Sequence, residues 1–391
     1  MLYAIIMAGG VGTRLWPVST KGKPKQVYPL LDDETLLQKT WKRLRRGFPA
    51  KNIFVATSEG LAEEVARQLG AVHNPPQPSL TLREGAKRVL PLRVRGSERG
   101  LRGVLDQNLI LEPARRGTAP ALGLALLKIA KRDPNGIFVF VNADNFVRKE
   151  DEFVRLLRVA ERVIKKKPDH TLLIGVNPTY PETGYGYIKM GKPVLKFTVH
   201  RSQFTVFEVE KFVEKPDLQT ARKFLRRWEY LWNPTLVIAR VDHFLGLYKK
   251  HLPKMWRQLQ KGEFSKIKAE TIDYGILEHE TKMLVLPGNF GWTDVGHWRA
   301  VHEVLAGNIR TKELKNIRTK GNICKAGKCV SVDSSGNLIY SLSGKLVALA
   351  GVQNMILIES ENALLLCPKS RAQDVKKLVE NLEKKGLKEY L

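Results

Sequence analysis

The chain has 391 residues, 43% of them hydrophobic, which is more than one typical domain and enough apolar material for a sizeable core. No apolar run approaches the roughly 18 residues of a membrane helix, Leu2–Ala8 lacks the preceding basic region of a secretion signal, and three cysteines rule out a disulfide scaffold and fit a reducing cytoplasm. The formal net charge of +27 is spread along the chain and favours anionic partners (nucleotides, sugar phosphates, nucleic acid or membrane surfaces) without choosing among them, and it also fits a hot habitat.

In chain order, Leu2–Met7 reads as a buried strand and Thr35–Arg45 as a helix with Leu36, Leu37, Trp41 and Leu44 on one face. Asn52–Ala56 is a second strand and Leu61–Leu69 a second helix. The stretch 72–105 breaks the rhythm. It is rich in proline, glycine and arginine and reads as a basic surface insertion. Ala119–Lys131 is helical, Gly136–Val141 is a strand ending at Asn142-Ala143-Asp144, Phe153–Lys166 is helical, and Thr171–Val176 is the next strand. Such alternation implies a mainly parallel sheet covered on both faces.

The texture changes after about residue 300. Short β-like runs separated by glycine follow (Cys329–Asp333, Leu338–Tyr340, Leu346–Leu349, Met355–Glu359, Ala363–Cys367), then an amphipathic helix, Ala372–Lys385. This places a domain at 1–300 and a small β-rich domain with stacked rungs at 301–391. Cys324 and Cys329 would need two further nearby ligands to hold zinc, and none is persuasive, so all three cysteines are taken as ordinary.

The strongest local signal directly follows the first strand: Gly9-Gly10-Val11-Gly12-Thr13-Arg14-Leu15-Trp16-Pro17. Three glycines let the backbone bend and approach a ligand, and exposed amides in such a turn cradle anions. Arg14 and Lys25 add two positive charges, with Pro17 and Pro24 stiffening the loop. The Gly-Lys-Ser/Thr ending of a Walker A loop is absent, and the pattern is not a clean dinucleotide fingerprint. A glycine turn serving only the fold is the alternative.

The segment GGVGTRLWPVSTKGKPKQ resembles the signature loop of sugar-nucleotide pyrophosphorylases, more narrowly that of mannose-1-phosphate guanylyltransferases. The match continues in order through LEPARRGTAPA (Leu111–Ala121), NAD at 142–144, PETGYGYI (Pro181–Ile188), VEKP at 213–216, WN at 232–233, IDYG at 272–275 and GWTDVGHW at 291–298. Only 72–105 falls outside it.

The resemblance implies a Rossmann-like α/β nucleotidyltransferase domain with a mixed, mainly parallel sheet and a small β-helix-like C-terminal domain. It implies a cytoplasmic enzyme that uses Mg²⁺, GTP and mannose 1-phosphate to make GDP-mannose and pyrophosphate. The nucleotide would meet Ala8, Gly9, Gly10, Gly12, Thr13, Glu112, Thr118, Asn142 and Ala143. Arg14 would neutralise the leaving phosphates and Lys25 the α-phosphate. Asp144 and Asp294 would hold the metal, and Gly184, Glu214, Lys215, Asn233 and Asp273 the sugar phosphate.

For single residues blander readings remain. Asp144 and Asp294 could be turn aspartates, Glu214-Lys215 a solvated pair, and Asp273 a helix N-cap. Trp292 and Trp298 read more readily as core than as pocket wall. The chemistry itself needs positioning and charge neutralisation more than a general base, because a phosphate dianion is already a nucleophile.

Three motifs depart from the family pattern. Gly117 stands where asparagine is usual, Asn142 and Asn145 flank the metal turn where proline and histidine are favoured, and Pro234-Thr235 replaces a serine–glycine pair. Other expectations are no membrane association, no nucleic-acid partner, a homodimer as a candidate assembly, and no room for the isomerase domain fused to some relatives. The competing readings are a pyrophosphorylase for another hexose 1-phosphate or triphosphate, and a non-catalytic sugar-nucleotide sensor.

Overall fold

The run Leu2–Met7 forms β1, and its four consecutive residues Tyr3–Ile6 are all buried, as in a strand covered on both faces. The computed structural model describes residues 1–10, 12–20, 22–71, 107–199, 202–307, 318–319, 321–325 and 327–391; the insertion expected at 72–105 lies outside the described residues. The chain divides into two compact units. The first is Met1–Gly9, Thr40–Ala143 and Val147–Trp292; the second is Gly10–Lys39, Asp144–Phe146 and Thr293–Leu391. This differs from a division at residue 300 by placing the glycine-rich segment with the C-terminal strands.

The first unit is built on one ten-stranded sheet. Its strands are β1, β2 (Ile53–Ser58), β3 (Leu109–Glu112), β4 (Ile137–Asn142), β5 (Thr171–Val176), β6 (Gly186–Val199), β7 (Ser202–Val213), β8 (Tyr230–Asn233), β9 (Val237–Arg240) and β10 (Met283–Gly288). The order is β10-β7-β6-β8-β5-β9-β4-β1-β2-β3. The sheet is mixed. Its parallel character is carried by β3-β2-β1-β4 and by β10 on β5, whereas β9, β8, β6 and β7 extend it with antiparallel pairings. On one face Tyr3, Ile5, Phe54, Phe138 and Phe140 pack with residues of helices Thr118–Ala130 and Val241–His251. A Cβ at Gly123 would lie 2.5 Å from Leu259 Cδ1, so that glycine sets a close helix approach.

In the second unit parallel strands alternate between two sheets. Asn322–Lys325 (β11), Leu338–Ser341 (β13) and Met355–Glu359 (β15) stack in one sheet, with Leu364–Pro368 antiparallel on β15. Lys328–Val332 (β12) and Leu346–Ala350 (β14) pair in the other. These are the expected stacked rungs. Asparagines tie them together: Asn337 N–H donates to Asn322 Oδ1 at 3.1 Å, and Met355 N–H to Asn337 Oδ1 at 2.8 Å. Ile323, Leu338, Ile356 and Leu365 share one core with Leu15, Trp16, Val18 and Trp298.

The cysteine expectation is corrected here. Cys324 and Cys329 form a disulfide, with Cα atoms 6.2 Å apart. Cys324 lies in β11 and Cys329 in β12, strands that follow each other closely in sequence, which brings the pair within bridging distance. Cys367 is a free thiol. No described helix is long and apolar enough to cross a membrane.

Candidate active site

The glycine-rich segment starts in the second unit with Gly12 in the left-handed region (φ 69°). A Cβ there would lie 2.7 Å from Ser19 Oγ and 3.0 Å from Lys25 Cγ, so both the φ and the close approach demand glycine. Thr13–Leu15 then makes one 3₁₀ turn, and the fully buried Leu15 anchors it in the core. Trp298 Nε1 donates to Trp16 O at 2.9 Å, and Trp16 Nε1 to Tyr390 O at 2.6 Å.

Pro24 starts a second 3₁₀ turn that carries Lys25 inward. Its ammonium lies 2.8 Å from Asp144 Oδ2 and 3.6 Å from Asp294 Oδ1, and donates to Val295 O at 3.1 Å. Burial alone would pull this amine down, but the two carboxylates outweigh it and hold the pKa above the usual lysine value. Lys25 is therefore a fixed buried cation. Arg14 Nη1 donates to Gln373 Oε1 at 2.9 Å. A Cβ at Gly296 would meet Asp294 Oδ2 at 2.6 Å and Arg14 Nη2 at 3.2 Å. The structure thus gathers Arg14, Lys25, Asp144 and Asp294 around one point. The two carboxylates keep about a quarter of their side chains exposed (24% and 21%), so neither is a sealed turn residue.

Gly10, Gly12 and Thr13 belong to the second unit, and the first unit holds the remaining predicted residues. Glu112 ends β3, and its side chain is buried beside Gly9, where a Cβ would lie 3.1 Å from Glu112 Oε1. That oxygen has no hydrogen-bond partner among the described residues. Burial pushes the Glu112 carboxyl up to about 7, against the opposing pull of Arg115. Two residues predicted to meet the nucleotide have their amides already engaged: the Ala8 N–H donates to Ala56 O at 2.8 Å and the Ala143 N–H to Met7 O at 2.9 Å, because both residues continue the sheet's hydrogen bonding. Thr118 Oγ1 accepts the Ile272 N–H at 3.0 Å.

Glu214, Lys215, Asn233 and Asp273 come together as a second cluster. Asn233 Nδ2 donates to Asp273 Oδ1 at 2.9 Å, and Lys215 is ion-paired to Glu214, whose side chain is only 6% exposed. Glu214 is therefore withdrawn from water, whereas Lys215 stays half exposed. Lys215 adopts φ 45°, a strained backbone for a non-glycine residue, and its ammonium stands over the Tyr274 ring. Asp273 does not cap a helix; it opens a π-helical turn, Asp273–Leu277, with Ile272 at the cap position. Burial, then the nearby Glu214 charge, push its carboxyl up to about 7. The Gly184 N–H is spent on Glu182 Oε1 at 2.8 Å. The glycine that gives Glu214 its space is Gly186, where a Cβ would lie 2.5 Å from Oε2. Sequence reasoning missed it because both glycines sit in one motif. Trp298 is core as expected, but Trp292 is only partly buried and meets Tyr185, which in turn meets Trp232, with ring centroids 5.2 and 5.4 Å apart. Gln373 carried no sequence signal, since it lies 359 residues from Arg14.

The family model described as Nucleotidyl transferase matches residues 3–310, most of the chain. This chain belongs to the nucleotidyl transferase family. A second model, described as MannoseP isomerase/GMP-like beta-helix domain, matches residues 327–382. Mannose-1-phosphate guanylyltransferase 2 of Escherichia coli O157:H7 is 30% identical over 408 residues, spanning 100% of this chain and 75% of that one. Mannose-1-phosphate guanylyltransferase of Escherichia coli K12 is 30% identical over 407 residues with the same coverage. Within its family the chain therefore groups with the mannose-1-phosphate guanylyltransferases. The crystal structure named for mannose-1-phosphate geranyltransferase of Thermus thermophilus superposes with a TM-score of 0.74 at 26% identity, covering 98% of this chain and 99% of the other.

The departure at Gly117 in this nucleotidyltransferase has a structural cause. Its φ is 88°, and a Cβ would stand 2.2 Å from Glu270 O, because the backbone of Glu270 lies flush against 116–119. Gly117→Asn is expected to cost about 1–3 kcal/mol from the backbone alone. An unchanged denaturation midpoint would show that the segment can give way.

Proposed function

We propose that the enzyme transfers a guanylyl group from GTP to mannose 1-phosphate. A phosphate oxygen of the sugar phosphate attacks the α-phosphorus; the bond from that phosphorus to the bridging oxygen breaks; pyrophosphate leaves with the electron pair. The observation that carries this reading is the buried Lys25 ammonium held between Asp144 and Asp294, with Arg14 beside them. The cluster sets two fixed cations in a site partly withdrawn from water, where fixed charges act most strongly on phosphate oxygens, and its two carboxylates balance them until a cation binds. Asp144 and Asp294 fit Mg²⁺, which takes one or two carboxylates and completes its shell with phosphate oxygens and water. When bound, the ion would neutralise phosphate charge alongside the two cations.

The Glu112 carboxylate, whose Oε1 has no hydrogen-bond partner among the described residues, supports the choice of guanine. An ionised carboxylate accepts only, and its two oxygens match the adjacent N1–H and N2–H donors of that base. Adenine, uracil and cytosine do not present this pair. Asn233, Asp273 and Glu214 supply donors and acceptors suited to sugar hydroxyls, with Lys215 for the attached phosphate.

One observation favours a related sugar: Pro234 removes an N–H and Thr235 takes φ 57° beside Asn233, so this wall differs from the serine–glycine form. Pure protein with Mg²⁺, mannose 1-phosphate and each nucleoside triphosphate in turn should release pyrophosphate with GTP. Release only with another hexose 1-phosphate would move the sugar assignment. Release only with another triphosphate would overturn the role given to Glu112, and no release with any pair would favour a sensor.

A further inference from the structure

His297 belongs to the same unit as Arg14, Lys25, Asp144 and Asp294, and immediately precedes the ten-residue helix Trp298–Gly307. It is 3% exposed. Its Nδ1 accepts the backbone N–H of Ala300 at 3.2 Å, so Nδ1 holds a lone pair and the ring proton sits on Nε2. Burial, with the charges of Arg14, Arg299 and Lys25 acting in the same direction, depresses the imidazolium pKa to about 3, so the ring is neutral at ordinary pH. Nε2–H is then a buried donor with no partner among the described residues. An unmade buried hydrogen bond costs folding free energy and is uncommon unless something else satisfies it.

The surroundings specify what that is. Three cations act on the ring, and the helix N-terminus adds its partial positive charge. The backbone of Gly296, next in the chain, passes against Arg14 Nη2 and Asp294 Oδ2. The cations that act on the ring favour an anionic acceptor at Nε2, with the Asp294 carboxylate standing beside Arg14 on the other side of Gly296. We infer that His297 donates its Nε2–H to a phosphate oxygen of the pyrophosphate group, beside Arg14. The inference rests on the transfer reaction proposed above. It gives the Nδ1 contact a second role: by fixing the tautomer, the Ala300 amide keeps the ring a donor where a free imidazole could present a lone pair to the anion.

The test is calorimetric titration of the full chain with inorganic pyrophosphate and, separately, with mannose 1-phosphate, both in Mg²⁺. His297→Asn keeps an acceptor near the Nδ1 position and removes the distal donor; His297→Gln restores an N–H near the Nε2 position. Expected is a loss of pyrophosphate affinity of about tenfold or more in H297N, as for a hydrogen bond to a charged group. H297Q should retain most of the affinity, and mannose 1-phosphate binding should be unchanged in both. Unchanged pyrophosphate affinity in H297N overturns the inference, as does equal loss in both variants. A loss confined to mannose 1-phosphate also overturns it, because the contact would then be to the sugar phosphate.

Should the variants fail to fold, nitrogen-15 spectra of the wild-type ring decide. The Nε2–H resonance moves on adding pyrophosphate if the contact forms and stays if it does not. Absence of nucleotidyl transfer with an intact pyrophosphate-dependent shift would sink the reaction and leave the contact standing, so the two failures are distinguishable.

Discussion

Lys25→Met should lower kcat by about 10²–10³-fold, the range seen when one preorganised charge-stabilising group is removed, while KM for GTP changes much less. Methionine keeps an unbranched stem of similar length in the buried channel, so packing is largely retained. What disappears is the charge between Asp144 and Asp294. Charge on the transferring phosphoryl group is greatest in the transition state, so the loss should fall on turnover more than on binding. Lys25→Arg should not rescue, because the site is closed and a planar fork cannot replace a compact ammonium that also meets Val295 O. Steady-state kinetics at saturating Mg²⁺, with melting temperatures measured alongside, would check this. A kcat within threefold of the wild type would remove Lys25 from the mechanism.

The second large effect concerns base choice. Glu112→Gln replaces one acceptor oxygen by an N–H, which opposes a guanine donor. We expect kcat/KM for GTP to fall by about tenfold to hundredfold, the scale of a lost charged hydrogen bond. Inosine triphosphate, which lacks the N2 amine, should suffer less. A pH signature accompanies this. Burial raises the folded-state pKa of Glu112 to about 7, above its unfolded value of about 4.3. The folded free protein therefore holds this proton more tightly than the unfolded chain, and the associated stability is present at low pH and lost as pH rises from the unfolded to the folded pKa. GTP pairs with the ionised form, so its KM should fall as pH rises from about 6 to 8, and its protection in thermal shift should grow. Asp273 titrates in the same range, so the diagnostic quantity is the difference between wild type and E112Q. Parallel pH profiles in the two proteins would defeat the assignment.

Local pattern made the central strands readable. Leu2–Met7, Thr171–Val176 and Met355–Glu359 lie where an apolar run bounded by turn residues predicts. The antiparallel half of the sheet was not legible, because Gly186–Val199 and Ser202–Val213 alternate irregularly and carry bulges where register shifts. Motif order identified Arg14, Lys25, Asp144 and Asp294, and their convergence is what a shared charge site requires. Other features depend on distant chain segments. Gln373 reaches Arg14 only through the fold. Gly117 looks like a lost amide in the sequence, and only the backbone of Glu270 reveals that no side chain fits there. The partnerless oxygen of Glu112 and the donor state of His297 required knowledge of what surrounds each ring or carboxylate.

The shared core of the second unit makes the β-rich tail an unsuitable module for excision. None of the proposed substrate contacts lies beyond His297, yet Leu15, Trp16 and Val18 are packed among Ile323, Leu338, Ile356 and Val375. The tail acts as a splint for a loop encoded some three hundred residues earlier. Gene fusions, domain swaps and minimal catalytic fragments that cut the chain near residue 300 would discard no candidate substrate contact and still disarm the anion cradle, so a swap into this chain has to exchange both segments together.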